Sequence, residues 1–226
     1  MLLANPFIDI HTHRDDLENV ISIKSLNLLE INQSKLSSHS SVGIHPWWLE
    51  ELSSSDIEDL KIKIFELGKN HEVKAIGETG IDRSIEVEIK DQVDLFEWHV
   101  HLSEELKRPL YIHSVRAISD ILGMIKMMKP QMPWIFHDFR GNDEMVKEIS
   151  RLHPLSFFSF GLSIDNSQKI RDLIPQIPLA QLFLETDAQK HLTIEEIYLR
   201  ASHFIGMEPD FLRAQLYYNF KKVFNL

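Results

Sequence analysis

The stretch Phe7-Ile8-Asp9-Ile10-His11-Thr12-His13-Arg14-Asp15 begins as a short apolar run and ends in two histidines one residue apart. If the run is a strand, side chains alternate between its faces, so His11 and His13 share one face with Asp9 behind them. Two neutral imidazoles on one face can bind one divalent metal ion. Two strand histidines with ordinary hydrogen-bond partners would explain the same pattern, so the rest of the chain has to decide.

The composition narrows the classes of protein to consider. The 226 residues include 24 basic and 34 acidic side chains, and the formal net charge is −10. This argues against a broad basic surface for nucleic acid, but not against a nuclease that uses metals and a few arginines. The chain has no cysteine, which excludes disulfides and a thiol nucleophile and leaves nitrogen and oxygen as metal ligands.

The start of the chain has neither the basic segment nor the long apolar core of a secretory signal. No uninterrupted apolar run is long enough to span a bilayer. We therefore expect a cytoplasmic protein without a membrane partner, and no obligate protein partner is evident.

Short apolar or β-branched runs alternate with longer amphipathic stretches, which is typical of successive βα units. The eight predicted strands are Phe7 to His11, Val20 to Ile23, Ser41 to His45, Val73 to Gly77, Leu110 to His113, Pro133 to His137, Ser156 to Phe160 and Gln181 to Leu184. This alternation predicts an α/β fold, a (β/α)8 TIM barrel that spans residues 1–226 as one domain.

One link is too short for a full helix. Between the second and third strands, residues 32–39 are polar and few, so we expect the barrel to be reduced or distorted between strands 2 and 3. The alternative architecture is an open doubly wound sheet. Its Gly-x-Gly-x-x-Gly signature is absent, and so is a P-loop.

Metal-ligand residue types recur where the predicted strands end, which is where barrel active sites are built. They are His11 and His13 after the first strand, His45 after the third, Glu78 and Asp82 after the fourth, His113 after the fifth, His137 and Asp138 after the sixth, and Glu185 and Asp187 after the eighth. Four histidines and two carboxylates from this group would be enough to bind two divalent ions. Two such ions can share a water, lower its pKa and hold a phosphate.

Six motifs in this order make the chain resemble the TatD family of metal-dependent deoxyribonucleases, within the amidohydrolase-like barrels. They are Asp9-Ile10-His11-Thr12-His13, Val42-Gly43-Ile44-His45-Pro46, Ala75-Ile76-Gly77-Glu78-Thr79-Gly80-Ile81-Asp82, Tyr111-Ile112-His113-Ser114, Phe136-His137-Asp138-Phe139-Arg140-Gly141 and Leu184-Glu185-Thr186-Asp187-Ala188. The resemblance implies a first ion bound by His11, His13, Glu78 and Asp187, and a second bound by Glu78, His113 and His137. Glu78 would bridge the two.

Three features depart from the family pattern. The chain is shorter than most members, and the missing length falls between His13 and Gly43. The family has an arginine two residues after the fifth-strand histidine, whereas Val115 stands there and Arg116 follows. Gln189 replaces the proline that normally follows Asp187-Ala188, so this loop can take another path.

The resemblance also suggests roles for single residues. Glu78 and Asp187 are the candidate catalytic residues, and Asp187 can accept a proton from the attacking water; it could instead cap a helix. In the family His45 lines the pocket without binding metal, although a packing role before Pro46 is equally reasonable. Arg116 and Arg140 are candidate phosphate contacts, in a rim of cations that also holds Arg14, Arg83 and Lys190. Trp47 and Trp48 could stack on a base or sugar, or simply pack.

The sequence therefore predicts a metal-dependent hydrolase with two divalent ions (Zn, Mg, Mn or Ni) that acts on a phosphodiester, with DNA as the candidate substrate. Two alternatives remain open. One is hydrolysis of an ester or amide bond on the same metals, because this barrel supports many chemistries. The other is a metal-binding barrel without turnover.

Overall fold

Eight parallel strands follow one another around the molecule in the computed structural model, which describes residues 5–14, 18–28, 39–189 and 191–226. The strands are β1 Phe7–Thr12, β2 Val20–Ser25, β3 Ser40–Val42, β4 Val73–Asp82, β5 Leu110–Val115, β6 Trp134–Phe136, β7 Ser156–Phe160 and β8 Leu182–Leu184. Each strand pairs with its neighbour in sequence. The predicted (β/α)8 barrel is confirmed.

Helices alternate with these strands from β3 onward. The α-helices are α1 Ser54–Gly68, α2 Ile89–Leu106, α3 Ile118–Met128, α4 Asp143–Leu152, α5 Ser163–Asn166, α6 Gln168–Leu173, α7 Ile194–Ile205 and α8 Pro209–Phe224. Helix α1 shows why they form: Ser53 and Asp56 make a capping box, and the helix buries Ile57, Leu60 and Ile64 on one face. No helix of the described segments is long and apolar enough to cross a membrane.

The ends of the sheet meet at the carboxyl ends of β1 and β8. A single bridge joins Thr12 to Asp187. The amide of Asp187 donates to the carbonyl of His11 at 2.9 Å, and the amide of His13 donates to the carbonyl of Asp187 at 3.3 Å. These bonds close the barrel at the rim where barrel active sites lie.

Strand β4 is longer than predicted and irregular in its middle. Its pairing register with β5 shifts between Ile76 and Thr79. Gly77 has φ of 120°, and a Cβ there would lie 2.6 Å from the carbonyl oxygen of Tyr111, so only glycine fits. The shift is the kind of irregularity that changes where a strand side chain points, and here it includes Glu78.

The predicted third strand is wrong at its end. Strand β3 stops at Val42, and a 3-10 helix, Pro46–Glu50, starts after His45, whose ring accepts from the amide of Trp47. Most of the short link predicted to reduce the barrel, residues 29–38, lies outside the described residues. Seven residues also join β1 to β2, too few for a helix with its connecting turns.

Candidate metal centre

Glu78 is the centre of the cluster that forms at the carboxyl ends of the strands. Its carboxylate is 9% exposed, and four histidines surround it. One oxygen, Oε1, faces His11 and His13, and the other, Oε2, faces His45 and His137. Strands β1, β4, β5, β6 and β8 thus bring all six residues of the predicted ligand set into one place.

On the first side, Nε2 of His11 lies 3.1 Å and Nε2 of His13 lies 3.4 Å from Oε1 of Glu78. Oδ1 of Asp187 lies 3.7 Å from the His11 nitrogen and 3.5 Å from the His13 nitrogen. We call His11, His13 and Asp187 the Oε1 set. The ligand atoms of His11, His13 and Glu78 all lie within 4.8 Å of one another, and Asp187 lies beside the two histidines, as coordination of one ion requires.

The closure of the barrel positions the Oε1 set. The main-chain bonds between Asp187, His11 and His13 tie the ends of β1 and β8 together. Behind them, the buried carboxylate of Asp9 accepts from the amide of Thr186 at 2.9 Å and from its hydroxyl at 2.6 Å. Asp9, which the sequence places behind the two histidines, is therefore a buried hydrogen-bond acceptor for Thr186.

On the second side, Nε2 of His137 lies 3.3 Å and Nε2 of His45 lies 3.7 Å from Oε2 of Glu78. Nδ1 of His113 lies 3.3 Å from Nε2 of His137. We call His45, His113 and His137 the Oε2 set. His45, predicted only to line the pocket, also offers a ligand atom close to those of Glu78 and His113.

Two buried carboxylates lie behind the Oε2 set. Oδ2 of Asp82 is 3.0 Å from Nε2 of His113, and Oε1 of Glu185 is 3.8 Å from Nδ1 of His137. Glu185 is held in turn by the amide of Asp138, at 2.7 Å, and by the hydroxyl of Ser159. A carboxylate beside the outer nitrogen of a metal-binding histidine fixes the orientation of the ring.

The sequence analysis placed Glu185 after the eighth strand but did not include it among the predicted metal ligands. The side chain is 0% exposed, and it packs beneath the site rather than into it. A glutamate directly after a fully apolar strand, Leu182–Leu184, was the available signal, since an unpaired charge is costly to bury.

Both carboxylates that face the centre are ionised at neutral pH. Burial alone would raise the pKa of Glu78, but the neighbouring His11 and His137 lower it well below the ordinary value. Burial opposes ionisation of Asp187 too, yet hydrogen bonding to His13 and the nearby His11 lower its pKa to about 2. The site therefore holds two ionised carboxylates in a mostly buried place, where they face histidines that can carry the opposite charge.

The histidines divide into two electrostatic groups. Hydrogen bonds to Asp187 and Glu78 raise the pKa of His13 to about 9. Burial would lower the pKa of His137, but the charge of Glu78 and contact with Glu185 raise it to about 10. Burial and the neighbouring His113 lower the pKa of His45 to about 3, and burial with the neighbouring His137 lowers that of His113.

The donor set fits a divalent cation. His11 is fully buried, and neither of its ring nitrogens has a hydrogen-bond partner in the described chain. Such a nitrogen is costly to bury without a partner. A cation bound by imidazole nitrogens and carboxylate oxygens would supply one, and this mixture of ligands suits Zn²⁺, Mn²⁺ or Ni²⁺.

A cavity of about 360 Å³ opens over the cluster and is lined by His13, His45, Glu78, His113, His137 and Asp187, together with Trp47 and Trp48. His113 and His137 also line a second, smaller cleft of about 220 Å³ that reaches Arg140. Arg140 in turn lines a groove of about 590 Å³ together with Arg116 and Lys169. Neighbouring cavities at this rim thus share lining residues with the cluster.

The predicted rim of cations is only partly free. The guanidinium of Arg83 binds both carboxylate oxygens of Asp120 at 2.7 and 2.8 Å. Arg140 binds Asp138, with Nε 2.9 Å from Oδ2. These acidic partners reduce the positive charge that Arg83 and Arg140 present to a substrate.

Arg116, by contrast, makes no ion pair with any residue in the described ranges, and it lines the 590 Å³ groove. Two guanidinium nitrogens of the partly buried Arg14 have no hydrogen-bond partner in that part of the chain. Lys190, the fifth predicted cation, lies outside the described residues. Arg116 is therefore the candidate of this group whose charge is most available to an anion.

Comparison with known proteins agrees with this geometry. A family model described as TatD related DNase matches residues 8–225. A metal-dependent hydrolase from Bacillus subtilis, YabD, is 27% identical over 151 residues, which are 66% of this chain and 58% of that protein. The 3'-5' ssDNA/RNA exonuclease TatD of Erwinia billingiae is 30% identical over 207 residues, which are 83% of this chain and 77% of that protein.

The chain thus spans little more than half the length of the Bacillus relative. Among solved structures, the TatD homologue YjjV from Escherichia coli K12 superposes with a TM-score of 0.80 at 22% identity and covers 97% of this chain and 98% of that one. At this identity the likeness shows the fold alone.

Proposed function

The chain belongs to the family of TatD-related DNases, and on that basis we propose that it is a metal-dependent phosphodiesterase that cleaves nucleic acid. The observation that carries the proposal is the placement of Glu78, whose two carboxylate oxygens face separate groups of histidines. A bridging carboxylate between two ions needs this arrangement. We place the activity in one domain, residues 1–226, and in the cytoplasm.

In this proposal the Oε1 set and Glu78 hold one ion, through His11, His13 and Asp187. Glu78, His113 and His137 hold the second, and His45 stands close enough to Glu78 to join them. Two divalent ions bound there would lower the pKa of a water and would neutralise charge on a phosphate. The mixed nitrogen and oxygen ligands favour Zn, Mn or Ni over Mg.

In this proposal Asp187 accepts the proton of the attacking water. Its side chain is 34% exposed, whereas that of Glu78 is 9% exposed, so water reaches Asp187 more readily. Its pKa is lowered to about 2, so Asp187 is ionised at neutral pH. Because such a carboxylate is a weak base, it would take the proton from a water whose own pKa the bound ions had lowered. The main-chain N–H of Asp187 donates a hydrogen bond to the carbonyl of His11, which keeps the carboxylate at the rim.

The grooves favour a phosphate over a carbonyl substrate. Arg116, Arg140 and Lys169 line the neighbouring groove together with the acidic Glu148. Arg140 is paired with Asp138, so Arg116 and Lys169 carry the positive charge that is most available there. A local positive region in an acidic protein attracts an anionic substrate. An ester or amide substrate does not need these cations, and this is why we place that alternative second.

The test is hydrolysis by chelated protein to which Mn, Zn or Mg is returned, with single-stranded DNA, bis(p-nitrophenyl) phosphate and p-nitrophenyl acetate as substrates. We expect metal-restored activity on the two phosphodiesters and little on the acetate. Glu78→Gln should abolish this activity, and Glu97→Gln, on the exposed side of α2, should retain it. Activity on the acetate alone, or none with metal bound, would contradict the proposal.

A further inference from the structure

Trp47 is a large apolar side chain that is left exposed beside the metal centre. It is 54% exposed, and it lines the same cavity as Glu78 and His113. The next residue, Trp48, packs against the hydrophobic core. Core packing therefore explains Trp48 but does not explain Trp47.

The indole of Trp47 is held in one orientation. Its Nε1 donates to Oδ2 of Asp82 at 2.8 Å, and its amide donates to Nδ1 of His45 at 3.3 Å. The ring meets the imidazole of His45 at a centroid distance of 4.8 Å and an interplanar angle of 77°. A ring fixed at its polar edge loses little conformational freedom when a ligand packs on it.

Trp47 lies close to the metal centre, where the scissile phosphate would bind. Its ring centroid is 6.0 Å from that of His113, which belongs to the Oε2 set. His113 and His137, which line the cavity that holds Trp47, also line the cleft that reaches Arg140. An aromatic side chain and a cation therefore both lie near these two histidines, and a nucleic-acid chain offers bases to the first and phosphates to the second.

We propose that Trp47 is a base-stacking residue, on which an unpaired nucleobase next to the scissile phosphate packs. This inference rests on the proposed function. Every base has a flat face, so stacking selects for bases that are not paired, with little preference among sequences. Trp47 then makes the enzyme selective for single-stranded nucleic acid over duplex and over diesters without a base.

A second role would also involve Trp47 in activity. Asp82 contacts both Trp47 and His113, and in this second role the indole only positions His113 through Asp82. The two roles differ in their response to phenylalanine, which keeps an aromatic face but cannot donate to Asp82. They also differ in whether the loss depends on a base in the substrate.

The experiment compares Trp47→Phe, Trp47→Leu and the control Trp98→Leu, whose tryptophan lines a groove between α1 and α2. Two single-stranded oligomers of equal length are the substrates, one of thymidylate and one with abasic tetrahydrofuran residues. The readout is the ratio of kcat/KM on thymidylate to kcat/KM on the abasic oligomer.

We expect Trp47→Leu to lower this ratio by about 5- to 150-fold, whereas Trp47→Phe keeps most of it and Trp98→Leu all of it. An unchanged ratio in Trp47→Leu would overturn the inference, and so would an equal loss in Trp47→Phe and Trp47→Leu, which indicates a role through Asp82.

Binding of the same labelled oligomers, measured by fluorescence anisotropy, separates the two proposals. If the protein cleaves neither oligomer but binds thymidylate over the abasic chain only when Trp47 is present, the stacking site stands and the proposed hydrolysis fails. Equal binding of both oligomers by wild type and Trp47→Leu would overturn the stacking site.

Discussion

The two sides of Glu78 are supported by different parts of the fold. The Oε1 set depends mainly on main-chain bonds that join β1 to β8, behind which the carboxylate of Asp9 binds Thr186. The Oε2 set depends on side chains, because Asp82 lies against His113 and Glu185 lies beside His137. The first set is thus positioned mainly by barrel closure, whereas two histidines of the second set each have a buried carboxylate beside the ring.

This difference indicates how each side responds to change. A substitution of one buried carboxylate alters the orientation of one histidine of the Oε2 set and leaves the Oε1 set intact. Among the described residues, no buried carboxylate orients the ring of His13 in this way. The position of His13 follows from the main-chain bond between His13 and Asp187. Only Glu78 belongs to both sides.

The largest effect is expected at Glu78 itself. Glu78→Gln removes the charge that both sets share and leaves a buried amide among four histidines. We expect loss of hydrolysis on phosphodiesters and of metal binding on both sides. Isothermal titration calorimetry of chelated protein with Mn²⁺ checks this. A variant that still binds an ion on either side with wild-type affinity would show that Glu78 does not bridge.

Single ligands should separate the two sides. We expect His13→Gln to lose the ion of the Oε1 set and keep the other, and His137→Gln to do the reverse, because the two histidines lie against different oxygens of Glu78. Elemental analysis after desalting gives the metal content of each variant. Loss of all metal in both variants would show that the sets bind as one unit.

The buried carboxylates should have a smaller, one-sided effect. We expect Glu185→Gln to lower metal affinity of the Oε2 set by about 10- to 100-fold and to leave the Oε1 set unchanged. Asp94→Asn, on the exposed face of α2, is the matched control. Equal weakening of both sets, measured by titration with a competing chelator, would mean that Glu185 supports the barrel rather than His137.

The smallest expected effect lies outside both sets, at His99. Burial lowers the pKa of His99 from 6.5 to about 3, and the ring bonds the amide of Ile44 at 3.0 Å and the carbonyl of Leu95 at 2.8 Å. Below pH 6.5 the unfolded chain therefore binds a proton that the folded chain does not, and stability falls as the pH falls towards 3.

At pH 5 this amounts to about 2 kcal/mol of the free energy of unfolding. We expect His99→Gln to be less stable at pH 7 but to lose less stability between pH 7 and pH 5, with or without metal. Urea unfolding measures both. The exposed His101→Gln is the control, and a pH dependence identical to wild type in His99→Gln would contradict the account.

Much of the site could be predicted because its residues lie at the carboxyl ends of strands that the sequence pattern reveals. His11, His113 and Asp187 follow apolar runs, and the carboxyl ends of successive parallel strands meet at one rim. The register shift that includes Glu78 was not predictable in the same way. It depends on the close approach of Gly77 to the main chain at Tyr111, which local pattern does not reveal.

Long-range pairings were also beyond the sequence. Glu185 lies 47 positions from its partner Asp138, and Arg83 lies 37 positions from Asp120. Neither pair has a periodicity that marks it, so Arg83 was counted among free cations and Glu185 was not included among the predicted metal ligands. The assignment of individual ligands remains a prediction until metal is measured.

The most direct test of the account is the number of ions that each chain binds. Wild-type protein is stripped with chelator, reloaded with excess Mn²⁺ or Zn²⁺, desalted and measured by elemental analysis, with Glu78→Gln alongside. The account predicts two ions per wild-type chain and a loss of both in the variant. One ion per wild-type chain, or two retained without the carboxylate of Glu78, would contradict it.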